Sequence, residues 1–207
     1  MKKIADGLQY NVYDLGNGRV LKKCKNKVEI RTKLLSWGDI SLESGEEKVN
    51  EAITLGKNSL ANISNKLLNI DPGIIGNPNI YPNLDYEQDK VVVIDEYINS
   101  HPLEANKLIV DKYIENIFKT WKYGFSDIVF NFTINNGIDT QGNVILIDLG
   151  ELSFDFDTIA ELIKKQKWLN QYSFTSLKDQ ELKQYLIEQM ASNITLENLV
   201  KHWSYSQ

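Results

Sequence analysis

The sequence predicts an α+β fold in two parts, a strand-rich first half and a mostly helical second half. Three observations lead there. Short alternating or β-branched runs crowd residues 1–98, as strands require. Long stripes of apolar residues at three- and four-residue steps mark amphipathic helices, one in the first half and several in the second. Strands and helices do not alternate in regular βαβ fashion, which excludes a purely parallel α/β sheet. At 207 residues the chain can bury a sound core as one domain or two small lobes. Its character changes at Asn99-Ser100-His101-Pro102, dividing 1–98 from 99–207.

The elements follow in order. Tyr10, Val12 and Asp14 alternate with Asn11 and Tyr13. Asn17-Gly18 is a two-residue hairpin signal, because both residues tolerate positive φ. Arg19 to Lys23 is then the returning strand. Val28 to Trp37 is a short helix that Gly38 ends. Ser44-Gly45 precede a longer helix, in which Val49, Ile53, Gly56, Leu60, Ile63 and Leu67 share one face. Asp71-Pro72-Gly73 closes it, and Gly76 to Asp89 reads as loop with a short strand. The β-branched run Lys90 to Ile98 is placed as a buried strand.

In the second half, Leu108, Val110, Tyr113, Ile114, Ile117 and Trp121 make a helical stripe that Gly124 ends. Val129–Ile134 and Asn143–Ile147 read as two strand-like runs flanking a turn. Helices are expected near 157–170, 176–191 and 195–204, with Ser176 and Thr195 as N-caps. Trp121, Trp168 and Trp203 fit core positions.

Composition narrows the function classes. A content of 42% apolar and 25% charged residues is that of a soluble globular protein. The net charge of −5 argues against broad electrostatic binding to nucleic acid. A single cysteine, Cys24, excludes an internal disulfide and a Cys-rich zinc site. Only His101 and His202 are available for histidine-based metal sites. No apolar run approaches the ~20 residues that span a bilayer. The N-terminus lacks an apolar signal-peptide segment, so a cytoplasmic location is expected.

The stretch richest in chemistry is Gly142-Asn143-Val144-Ile145-Leu146-Ile147-Asp148-Leu149-Gly150-Glu151. An apolar strand ends in a carboxylate, which is costly there unless a cation or hydrogen bonds compensate it. Asp148 is therefore a turn cap or a metal ligand.

The order of elements up to Glu151, ending in Asp148-Leu149-Gly150, resembles the protein-kinase-like superfamily. The resemblance implies two lobes: a small strand-rich N-lobe (1–98) and a reduced helical C-lobe (99–207). It also implies ATP and Mg²⁺ as cofactors. On this match Gly7 is the one glycine kept in the phosphate-covering loop, with Ala5 and Tyr10 at the other glycine places, and Val12 covers the base. Lys22 takes the place of the strand lysine on the α/β-phosphates. Its helix partner is Glu46 by periodicity or Glu51 by position along the helix. Asp95 takes the gatekeeper place, Glu96 the first hinge place, and Ile98 offers backbone groups to adenine.

In the same match Asp127 stands for the catalytic-loop aspartate, with Phe125 and Ser126 replacing its His-Arg. Asn131 and Asp148 stand for the metal ligands. Asn131 comes one residue earlier than the family spacing, Asn135 is its rival, and the hairpin carries an insertion around Asn136–Gln141. No Ala-Pro-Glu follows Asp148-Leu149-Gly150, and the 57 residues after Gly150 hold no long activation segment.

Two readings follow from the resemblance. One is an ATP-dependent phosphotransferase acting on an unidentified hydroxyl. The other is a pseudokinase kept as a binding or regulatory module, with a possible protein partner. An unrelated α+β interaction domain is the third reading.

Overall fold

The computed structural model describes residues 1–41, 45–170 and 177–204. Its first half is built on a five-stranded antiparallel sheet. The strands are β1 (Lys2–Asp6), β2 (Tyr10–Asp14), β3 (Arg19–Cys24), β4 (Asn79–Ile80) and β5 (Tyr86–Asp89), in the order β1-β2-β3-β5-β4. The β2–β3 connection differs from the expected two-residue Asn17-Gly18 turn: Leu15 N bonds the Arg19 carbonyl, and the positive φ values fall on Gly16 and Gly18 rather than on Asn17. The register places Val12 opposite Lys22 and Tyr10 opposite Cys24. On its other side Lys22 faces Tyr86.

Helix α1 (Lys27–Trp37) begins at a capping box formed by Asn26 and Glu29 and ends at Gly38, whose φ of 78° suits a residue without Cβ. Helix α2 (Glu46–Lys66) buries Val49, Gly56, Ser59, Leu60 and Ile63, the face its periodicity marks. Leu60 and Ile63 join Tyr10 and Tyr86 of the sheet, and Phe125, Leu146, Leu149 and Leu152 from later in the chain, in one apolar cluster. The strand-rich half is thereby packed against the Asp148-Leu149-Gly150 segment.

The second half is organised around α4 (Leu103–Lys122), with α5 (Phe156–Lys164), α6 (Gln180–Asn193) and α7 (Leu196–His202) packed in the same apolar cluster. Trp121, Trp168 and Trp203 belong to that core. Thr195 caps α7 through the Asn198 amide, as expected from the sequence. Asp179 caps α6; Ser176 lies outside the described residues. Three short strands, β6 (Val92–Val93), β8 (Asn136–Ile138) and β9 (Val144–Leu146), form a second sheet. β7 (Ser126–Asp127) pairs with β10 (Leu152–Ser153). Among the described residues, no helix is long and apolar enough to cross a membrane.

Four further expectations need correction. Lys90–Ile98 is not one strand: only Val92–Val93 pairs, and Ile94–Ile98 is helix α3. A short apolar run does not separate a buried strand from a buried helix, and Asp95 and Glu96 in the first turn favour the helix through its dipole. Val129–Ile134 is loop, closed by hydrogen bonds from the Val129 and Asn131 amides to Asp127 and from the Ile134 amide to Asn131. Asn136–Ile138 is the strand itself rather than an insertion, and Asp139 builds the turn by accepting from the Gln141 and Asn143 amides. Leu108 is solvent-exposed, with Ile109 buried beside it.

Candidate functional site

Lys22 projects from the middle of β3 between β2 and β5, and is 8% exposed. Its Nζ donates to the Ile147 carbonyl, immediately before Asp148, and sits 5.3 Å from the Tyr86 ring centroid. Burial pushes its ammonium down to about 8, against the opposing pull of the Asp148 charge. The lysine and the aspartate, far apart in sequence, therefore share one site.

Asp148 follows β9. The Ile147 and Asp148 amides both donate to the Asn135 carbonyl, at 2.8 and 3.2 Å. This extends the β8–β9 pairing in which Asn136 faces Leu146. One Asp148 oxygen, Oδ1, accepts from the Gly150 amide at 2.9 Å, so the carboxylate also caps its own turn.

Asp127 is buried on β7, opposite Leu152 of β10. Its Oδ1 accepts from the Val129 amide at 2.7 Å, and its Oδ2 accepts from the Asn131 amide and Asn135 Nδ2, each at 3.3 Å. Burial, with the Asp148 charge adding to it, raises its carboxyl to about 6; the donated hydrogen bonds work in the other direction. Asn135 Nδ2 also donates to Glu151 Oε2 at 3.3 Å. Glu151 is held above the usual carboxylate range, first by burial and then by Asp148 and Asp127. Asn135 thus bridges two carboxylates beside a third.

The other sequence-derived residues fall unevenly. Gly7 lies in the exposed β1–β2 turn, its amide donating to the Tyr10 carbonyl at 3.0 Å. Buried Lys25 clasps that turn through the Gly7 carbonyl and Asp6, at 2.6 and 2.7 Å. Val12 is half-buried opposite Lys22. Asn131 turns its Oδ1 back to Ile134 N and Thr133 Oγ1, closing its own loop, whereas Asn135 stands beside Asp148.

Neither glutamate meets Lys22. Glu46 is exposed and pairs with Lys27 and Arg31 of α1, and Glu51 is exposed on the outer face of α2. Glu96 and Ile98 sit on α3, where Glu96 faces solvent and Ile98 packs on the helical core, away from a strand-type hinge.

Gln9 was invisible as a site residue in the sequence. Its Nε2 donates to the Ala52 carbonyl of α2 at 2.8 Å. A Cβ added to Gly150 would come 1.8 Å from Gln9 Oε1, so the Gln9 amide lies directly against that glycine. One side chain therefore joins the β1–β2 turn, α2 and the Asp148-Leu149-Gly150 turn. No local pattern could announce this, because the partners lie far away along the chain.

Among the described residues, no group of three or more His, Cys, Asp or Glu is arranged to hold a metal ion. A Mg²⁺ carried on nucleotide phosphates asks less of the protein, one or two carboxylates plus substrate oxygens. Asp148 fits that demand, and so does Asn135, whose Nδ2 is committed to carboxylates and whose Oδ1 remains the oxygen donor. No protein-family model matches the chain, and comparison with curated proteins gives no match.

Proposed function

We propose that this chain is a two-lobed, protein-kinase-like module that binds ATP with Mg²⁺ and does not transfer the phosphoryl group. The observation that carries the reading is the juxtaposition of buried Lys22 with Asp148 at the mouth of β9. A lysine that burial leaves near 8 is still mostly protonated at neutral pH. It meets a phosphate as a point charge with no demand for planar geometry. Asp148 and Asn135 Oδ1 are the oxygens that would hold the metal, whose role is to neutralise phosphate charge. Val12 is opposite Lys22 in β2, which supports it as the residue that would cover the base.

Asp127 favours binding without turnover. A general base must reach the proton that it removes. Asp127 is buried, and both of its oxygens are engaged by the Val129 and Asn131 amides and by Asn135. That arrangement suits a loop brace.

The test is thermal unfolding of wild type and Asp148→Ala with ATP, with and without MgCl₂. Native-state binding stabilises by about 2.7 kcal/mol when free ligand is roughly 100-fold above Kd. The expected result is a Mg²⁺-dependent rise in wild type that Asp148→Ala loses. No rise in wild type would remove the reading. A phosphate-release assay is expected to stay at background; turnover that disappears in Asp127→Ala would restore catalysis.

A further inference from the structure

Helix α4 buries Asn106, Tyr113, Asn116 and Thr120 among its apolar side chains. Tyr113 and Asn116 are each 3% exposed. Tyr113 Oη and Asn116 Oδ1 have no hydrogen-bond partner among the described residues. Both side chains line a cavity of about 10 Å³ whose far wall includes Ser126, Asp127 and Leu146.

The surrounding polar groups are already in use. Thr120 Oγ1 donates to the Ile117 carbonyl at 2.8 Å. Ser126 Oγ accepts from Trp121 Nε1 at 3.1 Å and donates to the Asp127 carbonyl at 3.3 Å. Asn136, also on the cavity wall, donates through Nδ2 to the Asn131 carbonyl at 3.0 Å. The buried atoms without a partner are the Tyr113 hydroxyl and Asn116 Oδ1, and the Asp127 carboxylate keeps acceptor capacity beside them. An ionised carboxylate offers about four acceptor sites, and three protein donors reach this one.

A buried space of one water-sized sphere, with two to four polar neighbours, is what an internal water occupies. The arrangement of charges fits that ligand and little else. An apolar guest would leave the hydroxyl and the amide oxygen unsatisfied, and a cation would be repelled by neither oxygen but has no room for a coordination shell. We propose that a single structural water is bound between α4 and β7. It accepts from Tyr113 Oη, donates to Asn116 Oδ1, and directs its second hydrogen to the Asp127 carboxylate.

Through that water α4 holds Asp127 from behind, while Asn135 holds it from the side of Asp148. Tyr113 and Asn116 become positioning residues for the loop that Asp127 braces. The inference is independent of nucleotide binding and would survive the loss of that reading.

The sign of one stability change tests it. If the water is bound, Tyr113→Phe deletes its donor and lowers Tm. If Tyr113 Oη is an unpartnered buried hydroxyl, the same substitution removes a desolvated group and leaves Tm unchanged or raises it. The phenylalanine keeps the ring, so the apolar packing of α4 is retained. A crystal structure of the wild type at a resolution that shows ordered water provides the direct readout. The expected result is one density peak within hydrogen-bonding distance of both Tyr113 Oη and Asn116 Oδ1. A cavity without that peak, a direct Tyr113–Asn116 hydrogen bond, or an unchanged or raised Tm in Tyr113→Phe each overturns the proposal.

Discussion

At Lys22 two effects oppose each other: burial disfavours the ammonium and Asp148 favours it, with burial the larger. The folded-state value of about 8 lies below the ordinary 10.5. Between those limits the unfolded chain binds more protons than the folded one, so this residue makes stability rise with pH across that window. Below the window both states carry the proton, and the full cost of the buried charge is present. The gain through the window is about 3 kcal/mol as an upper figure. Urea unfolding of wild type and Lys22→Met at pH about 8 and about 10.5 isolates the term. The wild type should gain stability over the variant as pH rises. A constant difference between the two proteins would mean that the ammonium is solvated and that its contact with Ile147 is incidental.

The elements around that lysine differ in how far their sequence betrays them. α1 is written locally: Asn26 accepts from the Glu29 amide, and Glu29 reaches back to the Asn26 amide. Asn26→Ala should therefore cost about 1 kcal/mol in chemical denaturation. The buried face of α2 was equally legible, since Val49, Gly56, Leu60 and Ile63 follow helical spacing. Its glutamates were not. Periodicity puts Glu46 on the apolar face, but Glu46 lies in the first turn of α2, where the neighbouring α1 presents Lys27 and Arg31 at the surface. On the proposed nucleotide-binding reading, Glu46→Gln and Glu51→Gln are expected to leave an ATP-dependent thermal shift intact, whereas Lys22→Met should remove it. Loss of the shift in either glutamine variant would mean that α2 moves to pair with Lys22 when nucleotide binds. The run Lys90–Ile98 departs from its expected strand for a different reason. Its apolar stretch, Val91 to Ile94, is too short for a period to distinguish strand from helix. Tertiary pairing decides: Val92 and Val93 join β8, and the Asp95 amide bonds the Thr133 carbonyl as the helix begins.

At the scale of the whole molecule, the strand-rich half and the Asp148-Leu149-Gly150 segment meet through a few long-range contacts. Ser59 of α2 donates to the Leu152 carbonyl at 3.0 Å and accepts from the Leu152 amide at 3.1 Å. Gln9 completes the junction by binding Ala52 and lying on Gly150. Asp148 could be singled out from the sequence because it ends an apolar strand, and Lys22 only through the order of the elements around it. Gln9 and Glu151 could not, because their roles exist only once the chain has folded back. The junction makes a prediction that depends on pairing rather than on either residue alone. Gly150→Ala places a methyl where the Gln9 amide sits, so that amide must leave and surrender its bond to Ala52. The expected cost is about 1–2 kcal/mol. Gln9→Ala loses the same bond, at about 1 kcal/mol, but opens the space. In the double variant the alanine at 150 meets no amide, and its added cost over Gln9→Ala should fall close to zero. The resulting coupling of about 1–2 kcal/mol is the size expected for residues in direct contact. Strictly additive costs in urea unfolding would mean that Gln9 does not rest on Gly150.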